Sequence, residues 1–305
     1  MRHRRTLIVT ALVFLSVTGT ATGQDIEPRR WTPLPVGMKV IGAGIVQTDA
    51  DIAFDPVLEI DDAKVDIDTA IVSYLYAFDL LGQSARFDVR LPYMDARWEG
   101  LLAGEPASVQ RKGLGDPRVR LSVNLLGAPA LRGKEFHSYR VSHPENTVVG
   151  AALAIGLPLG EYKQDKLLNL GENRFVIRPQ LGFVHTRGHW SYELTGSVFL
   201  YTDNDEFFGN NKREQDPLYA LQTHIVYFST QHWWVSLGAA HDRGGESRVN
   251  GEKKDDQKRD LLFGISAGYS ISSSSSVKLA YVGSRTYEDV GMDSDSVVLA
   301  CSIRF

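Results

Sequence analysis

Arginine recurs in this chain at spacings of two, beside acids and amides of the same parity. Arg86, Asp88 and Arg90 are two apart; so are Arg118 and Arg120, with Asn124 farther along; Arg174, Arg178 and Gln180 share one parity. In an extended strand, residues two apart point to one face. The same rule in later segments adds Glu193, Gln222, His224, Lys278 and Arg304. Guanidinium and ammonium groups gathered around an aqueous lumen attract small anions and polar aromatic solutes. The same cations, paired with carboxylates such as Asp88 and Glu193, instead tie facing walls together and fill the space between them. Both readings stay open at the level of sequence.

Other chemistry is weaker. Ser191 or Ser197 with His224 are the candidates for a hydroxyl nucleophile and base, but no GxSxG is present, so no enzyme is expected. His185 and His189 in HTRGH straddle a tight turn and lack a third ligand, which makes them turn residues, and no metal is expected. Asp203, Asp205 and Glu206 lack the glycine and distant glutamate of a calcium loop and read as a solvated loop, one that could meet divalent ions bridging lipopolysaccharide. Gly42 and Gly44 do not extend to GxGxxG, so no nucleotide or other cofactor is expected.

The elements that must position these residues are strands. From residue 37 onward, period-two alternation runs in stretches of about ten to thirteen residues, the length of a tilted membrane-spanning strand. About twelve such segments fall near 37–49, 65–79, 84–97, 116–127, 146–158, 173–187, 190–202, 217–228, 232–243, 259–271, 276–287 and 294–305. In NRFVIRPQLGFVHTR, Phe175, Ile177, Pro179, Leu181 and Phe183 share one face, opposite Arg174, Arg178, Gln180 and Gly182. Charge on a lipid-facing position costs a few kcal/mol, so the polar faces must turn inward.

Connections between the segments are sorted by length. Short ones (LLGQS, RGH, STQ, SSSSS) alternate with long polar ones such as DARWEGLLAGEPASVQRKG, TDNDEFFGNNKREQD and GGESRVNGEKKDDQK. The exception, 128–145, is long where a short turn is expected and carries a predicted brief helix. Short periplasmic turns alternating with long extracellular loops are a barrel pattern. Trp190, Tyr192, Tyr201, Tyr219, Tyr227, Trp233, Trp234 and Tyr287 lie near strand ends and are expected in the interfacial aromatic girdles.

Both ends of the chain agree with export. Arg2, Arg4 and Arg5, an apolar stretch over 7–15 and small residues up to Gly23 predict a signal peptide over 1–23. A segment over 24–36 with Trp31, Pro33 and Pro35 follows, either in the periplasm or entering the lumen as a partial plug; the barrel is expected over 37–305. The closing strand places Val297, Leu299, Cys301, Ile303 and Phe305 on one face. A terminal aromatic there resembles the C-terminal signature of bacterial outer-membrane β-barrels, in which it serves as an assembly signal read by the barrel-assembly machinery. One cysteine excludes an intrachain disulfide framework, and a formal charge of -4 with pI near 6.1 gives no case for nucleic-acid binding. A mean hydropathy of -0.18 is compatible with a barrel, whose lumen and lipid faces average out.

The segments GLGDPRVRLSVNLLGAP, LPLGEYKQDKLLNLGENRFVIRPQLGFVHTRGHWSYELTGSVFLYTDNDEFF and EQDPLYALQTHIVYF resemble the outer-membrane family labelled "putative MetA-pathway of phenol degradation". That resemblance covers most of the mature chain and implies a barrel transporter, in some members associated with breakdown of phenolic compounds. The reading is an all-β, antiparallel transmembrane barrel in the outer membrane of a Gram-negative cell. It is expected to contact lipid and lipopolysaccharide and to pass small, aromatic or hydrophobic solutes passively. The alternative is a non-conducting barrel with a structural or adhesive role.

Overall fold

The computed structural model describes residues 26–55, 58–229 and 232–305; the predicted signal peptide lies outside them. Its strands are β1 (Lys39–Ala53), β2 (Ile60–Leu80), β3 (Gln83–Leu102), β4 (Glu105–Leu114) and β5 (Arg118–Leu126). A helix, α1 (Gly133–Ser142), precedes β6 (Glu145–Gly156), β7 (Val176–Arg187), β8 (Trp190–Tyr201), β9 (Asn204–Phe207), β10 (Asn211–Gln215) and β11 (Leu218–Phe228). Then come β12 (Trp233–Gly244), β13 (Ser247–Val249), β14 (Glu252–Lys253), β15 (Lys258–Ser270), β16 (Ser275–Thr286) and β17 (Gly291–Arg304).

Twelve of these strands close into one antiparallel barrel, in the order β1, β2, β3, β5, β6, β7, β8, β11, β12, β15, β16, β17 and back to β1. First and last strands seal the ring along fourteen paired positions, from Val40 opposite Arg304 to Ala53 opposite Gly291. Lys39 and Phe305 exchange backbone hydrogen bonds of 3.0 Å at the end of that seam. Closure leaves no unpaired edge in hydrocarbon, where each unsatisfied peptide group would cost several kcal/mol.

Alternation fixes which side chains meet lipid. Ile41, Ile45, Val72, Tyr74, Leu91, Leu181, Phe183, Leu194, Leu237 and Leu299 are exposed on the outer surface. Cys301, Ile303 and Phe305 continue that face at the end of β17. On β1 to β3 the pattern inverts partway along. Asp66 and Asp68 point outward below Ala70 and Val72 in sequence, while Val65 and Ile67 point inward. Asp95 follows Tyr93, and Asp49 follows Ile45, in the same way. Polar-out and apolar-in is the arrangement of a water-soluble sheet, so the hydrocarbon boundary crosses these strands between Asp68 and Ala70. Beyond it, Ile52, Val65, Ile67, Met94, Ala96, Trp98 and Leu170 form a conventional apolar core.

Three of the predicted long loops are structured. The stretch beginning DARWEGLL continues β3 to Leu102 and returns as β4, through a turn in which Ala103 and Gly104 both have positive φ. The segments after β8 and β12 supply β9, β10, β13 and β14, a separate four-stranded sheet over the same end of the barrel. At the opposite end the connections are short. The turn between β2 and β3 uses Leu81 and Gly82 at φ 55° and 81°, with the Gly82 N–H donating to Asp79 at 2.7 Å. Helix α1 sits at this short-turn end within 128–145, with none of its residues buried.

Candidate functional site

The lumen is shaped by its own N-terminal segment. From the short-turn rim, where the Val36 N–H donates to Leu131 O and the Gly37 N–H to Ala77 O, both at 2.8 Å, residues 26–36 run back into the barrel as a strap. Trp31 is 1% exposed, and its Nε1–H donates to Thr195 Oγ1 on β8 at 2.8 Å. The ring lies over Gly150 of β6 and Gly182 of β7, which are paired directly across the sheet. A Cβ at Gly182 would come within 1.9 Å of Trp31 Cε2, and one at Gly150 within 2.5 Å of Cε3. Two facing glycines thus form the floor of a tryptophan slot, and the Arg120 guanidinium lies over the ring at 5.2 Å. A second facing pair, Gly238 and Gly264, receives Ile26: Cβ atoms there would approach its Cγ2 to 2.9 and 3.3 Å. Between these anchors, the Arg29 N–H donates to the Glu193 carboxylate at 2.8 and 3.0 Å, and its guanidinium lies over Trp234 and Phe228.

The wall behind the strap is filled. Arg178 stacks over Phe199 at 4.3 Å and donates to Ser197 Oγ at 3.1 Å. Arg174 stacks over Tyr201 at 4.4 Å and pairs with Glu172 at 2.6 Å. Burial opposes ionisation of Glu172, but Arg174 and Arg213 overcome it and hold this carboxyl below the ordinary range. Beside it, Asp116 accepts from the Gly160 and Glu172 N–H groups at 2.9 and 2.8 Å, joining the loop before β7 to the start of β5. Burial pushes Asp116 up to about 6 in spite of those two hydrogen bonds.

In front of the strap the lumen holds a cavity of about 720 Å³, lined from Gln215, Asp256 and Gly291 at the long-loop end to Ser272, Ser274 and Arg304 at the short-turn end. Its wall on β1, β2, β16 and β17 is mostly small or apolar, with Gly44, Val46, Ile71, Val282, Val298 and Ala300. The strap borders it with Ile26, Glu27 and Arg29. Glu27 reaches across to the walls, accepting from the Arg90 guanidinium of β3 and lying 3.6 Å from Lys278 Nζ of β16.

All the candidate residues named from sequence lie on inward faces or at the rim, but in different surroundings. Arg90, Arg174, Lys278 and Arg304 line the cavity. Arg120, Arg178, Gln180, Glu193, Gln222 and His224 are buried in the filled wall or under the strap. Arg86 pairs with Asp88 at 3.9 Å, and Arg118 begins β5 opposite Arg90. Ser197 is engaged by Arg178 and Ser191 by Thr186. His185 lies 3.6 Å from Glu145, and Asp203 pairs with Lys212 at 2.7 Å. Among the described residues, no group of three or more His, Cys, Asp or Glu is placed to hold a metal.

Two assignments to the aromatic girdle need correction. Tyr201 and Trp234 face the lumen, under Arg174 and Arg29, whereas Trp190, Tyr192, Tyr219, Trp233 and Tyr287 are exposed. Trp233 and Trp234 are adjacent on one strand, so only one can face outward. The same parity would have found Asp242, buried on the inward face of β12 opposite Asp260 of β15. Glu27, by contrast, carries no periodic signal.

The profile of the family described as "Putative MetA-pathway of phenol degradation" matches residues 42–289. Among solved structures, an outer-membrane channel from Pseudomonas putida F1 is similar, with a TM-score of 0.77 at 23% identity over 92% of this chain and 100% of that one. The transport unit of the autotransporter AIDA-I from Escherichia coli superposes with a TM-score of 0.51 at 9% identity, over 92% of this chain and 93% of that one. These likenesses are of fold. No curated protein matches the chain.

Proposed function

The chain belongs to the family described as "Putative MetA-pathway of phenol degradation", and from that premise we propose that it is an outer-membrane channel for passive passage of small amphipathic solutes, aromatic ones included. The observation that carries the reading is the cavity of about 720 Å³ lined from one end of the barrel to the other. Its volume is in the range of ligand sites for drug-sized molecules, well above what a single aromatic ring needs. A wall of small aliphatic and hydroxyl side chains facing a charged strap suits a solute with an apolar body and a polar group. Weak contacts spread along the path let a solute enter and still leave. The similarity in fold to the Pseudomonas putida F1 channel supports the same reading.

Flux measures this directly. Proteoliposomes holding the folded barrel should take up phenol and benzyl alcohol faster than protein-free vesicles, without a gradient of any other solute. Uptake no faster than that of empty vesicles would contradict the proposal.

A further inference from the structure

We infer that Arg90 and Lys278 form a carboxylate-binding station in the cavity, and that Glu27 of the strap occupies it as an internal stand-in for a permeating carboxylate. This rests on the channel reading and narrows its solutes to small carboxylates with an apolar body.

The geometry separates these two cations from the other basic residues of the lumen. The Arg90, Lys278 and Glu27 side chains retain 28%, 30% and 30% of their exposure, whereas Arg174 retains 2%. All three also line the cavity through which a solute would pass. Arg90 is on β3 and Lys278 on β16, separated around the ring by β2, β1 and β17. Residues from such distant strands converge on one carboxylate: one supplies a planar guanidinium fork, the other a mobile ammonium. The wall between them carries Gly44, Val46, Val298 and Ala300, against which the apolar body of a bound carboxylate would lie.

Glu27 is placed to yield. Its neighbours are held independently, Ile26 over Gly238 and Gly264 and the Arg29 N–H on Glu193, so its side chain can turn away without the strap leaving. Arg30 stands 3.6 Å from the Glu27 carboxylate and remains beside it as a counterion after displacement. One carboxylate replaces another, and neither the station nor Glu27 is left uncompensated, which avoids the large cost of a lone charge in a confined site.

The test is calorimetric titration of the folded barrel in detergent with sodium benzoate and with neutral benzyl alcohol, at constant ionic strength. Benzoate should bind wild type about tenfold more tightly than benzyl alcohol, the change that one charge-assisted hydrogen bond supports. Glu27→Gln should tighten benzoate further by about fivefold and leave benzyl alcohol unchanged, because an internal competitor has been removed. Lys278→Gln should erase the preference. Equal affinity of wild type for the two probes would overturn the station, as would a folded Glu27→Gln barrel that binds benzoate no better. Should that variant fail to fold, the wild-type comparison and Lys278→Gln decide. A barrel that takes up phenol but shows no benzoate preference loses the station and keeps the channel. A barrel that prefers benzoate but passes no solute loses the channel and keeps the site.

Discussion

Trp31 and the glycines beneath it are the most consequential residues of the lumen. The ring fills a slot that exists because Gly150 and Gly182 lack side chains, and Thr195 satisfies its one polar atom. Truncating a buried tryptophan of this kind typically costs about 3–5 kcal/mol. Here the cost falls on seating of the strap, since the closed ring of strands does not depend on it. Trp31→Ala should therefore leave the barrel folded while amide exchange over 26–36 accelerates by orders of magnitude. Gly182→Val should do the same from the wall side, and the double variant should add little, because both remove one interaction. Unchanged protection of the strap in both would contradict the seating described. Charge at residue scale behaves selectively too. Arg178 is buried against Phe199, away from the cavity, whereas Lys278 lines it. In reversal-potential measurements Lys278→Gln should reduce anion preference, and Arg178→Gln should leave it unchanged.

Among the elements, β2, β3 and β4 stand apart because they outgrow the membrane. Their projecting ends fold as a soluble sheet around Trp98, which is 4% exposed. Trp98→Ala should destabilise that projection by about 3–5 kcal/mol, read as faster exchange over 95–114 with the lipid-embedded strands unaffected. The loop before β7 should respond to pH through Asp116. Its folded carboxyl titrates at about 6 against an ordinary value of 3.8, because burial penalises the charged form. The folded state then binds more protons in that window, so the contribution is fully present below about pH 4, is lost as pH rises to about 6, and is flat above. Protection of the Gly160 and Glu172 amides should fall across that range, and Asp116→Asn should flatten the slope. Much of this element architecture was legible beforehand. A strict period of two leaves no freedom over which face a residue takes once one face must meet lipid. That is why inward placement of Arg90, Arg178 and Lys278 could be read from spacing alone. Inversion on β2 was not legible, since Val65, Asp66, Ile67 and Asp68 keep the same period while the solvent changes. Tyr201 and Trp234 lie near strand ends, as girdle residues do, but their parity turns them into the lumen.

At the scale of the whole molecule, the lumen is divided lengthwise. One side, from β5 through β12, is packed with stacked arginines, carboxylates and the strap; the other, from β15 through β17 to β2, borders the cavity with mostly small aliphatic and hydroxyl side chains. This division was invisible in the sequence for a physical reason. The strap has no periodic pattern, and the slot for Trp31 is built from glycines more than a hundred residues away that look like ordinary strand breaks. The lumen charges accordingly stand in two settings: the buried ones brace the packed side, and Arg90, Lys278 and Arg304 line the cavity. The most direct test of that picture is single-channel recording of the folded, inserted barrel in planar bilayers, with Trp31→Ala beside wild type. Wild type should give discrete small current steps, and Trp31→Ala larger ones, because its strap is unseated. Fully inserted barrels that stay electrically silent in both forms would contradict an end-to-end path through the lumen.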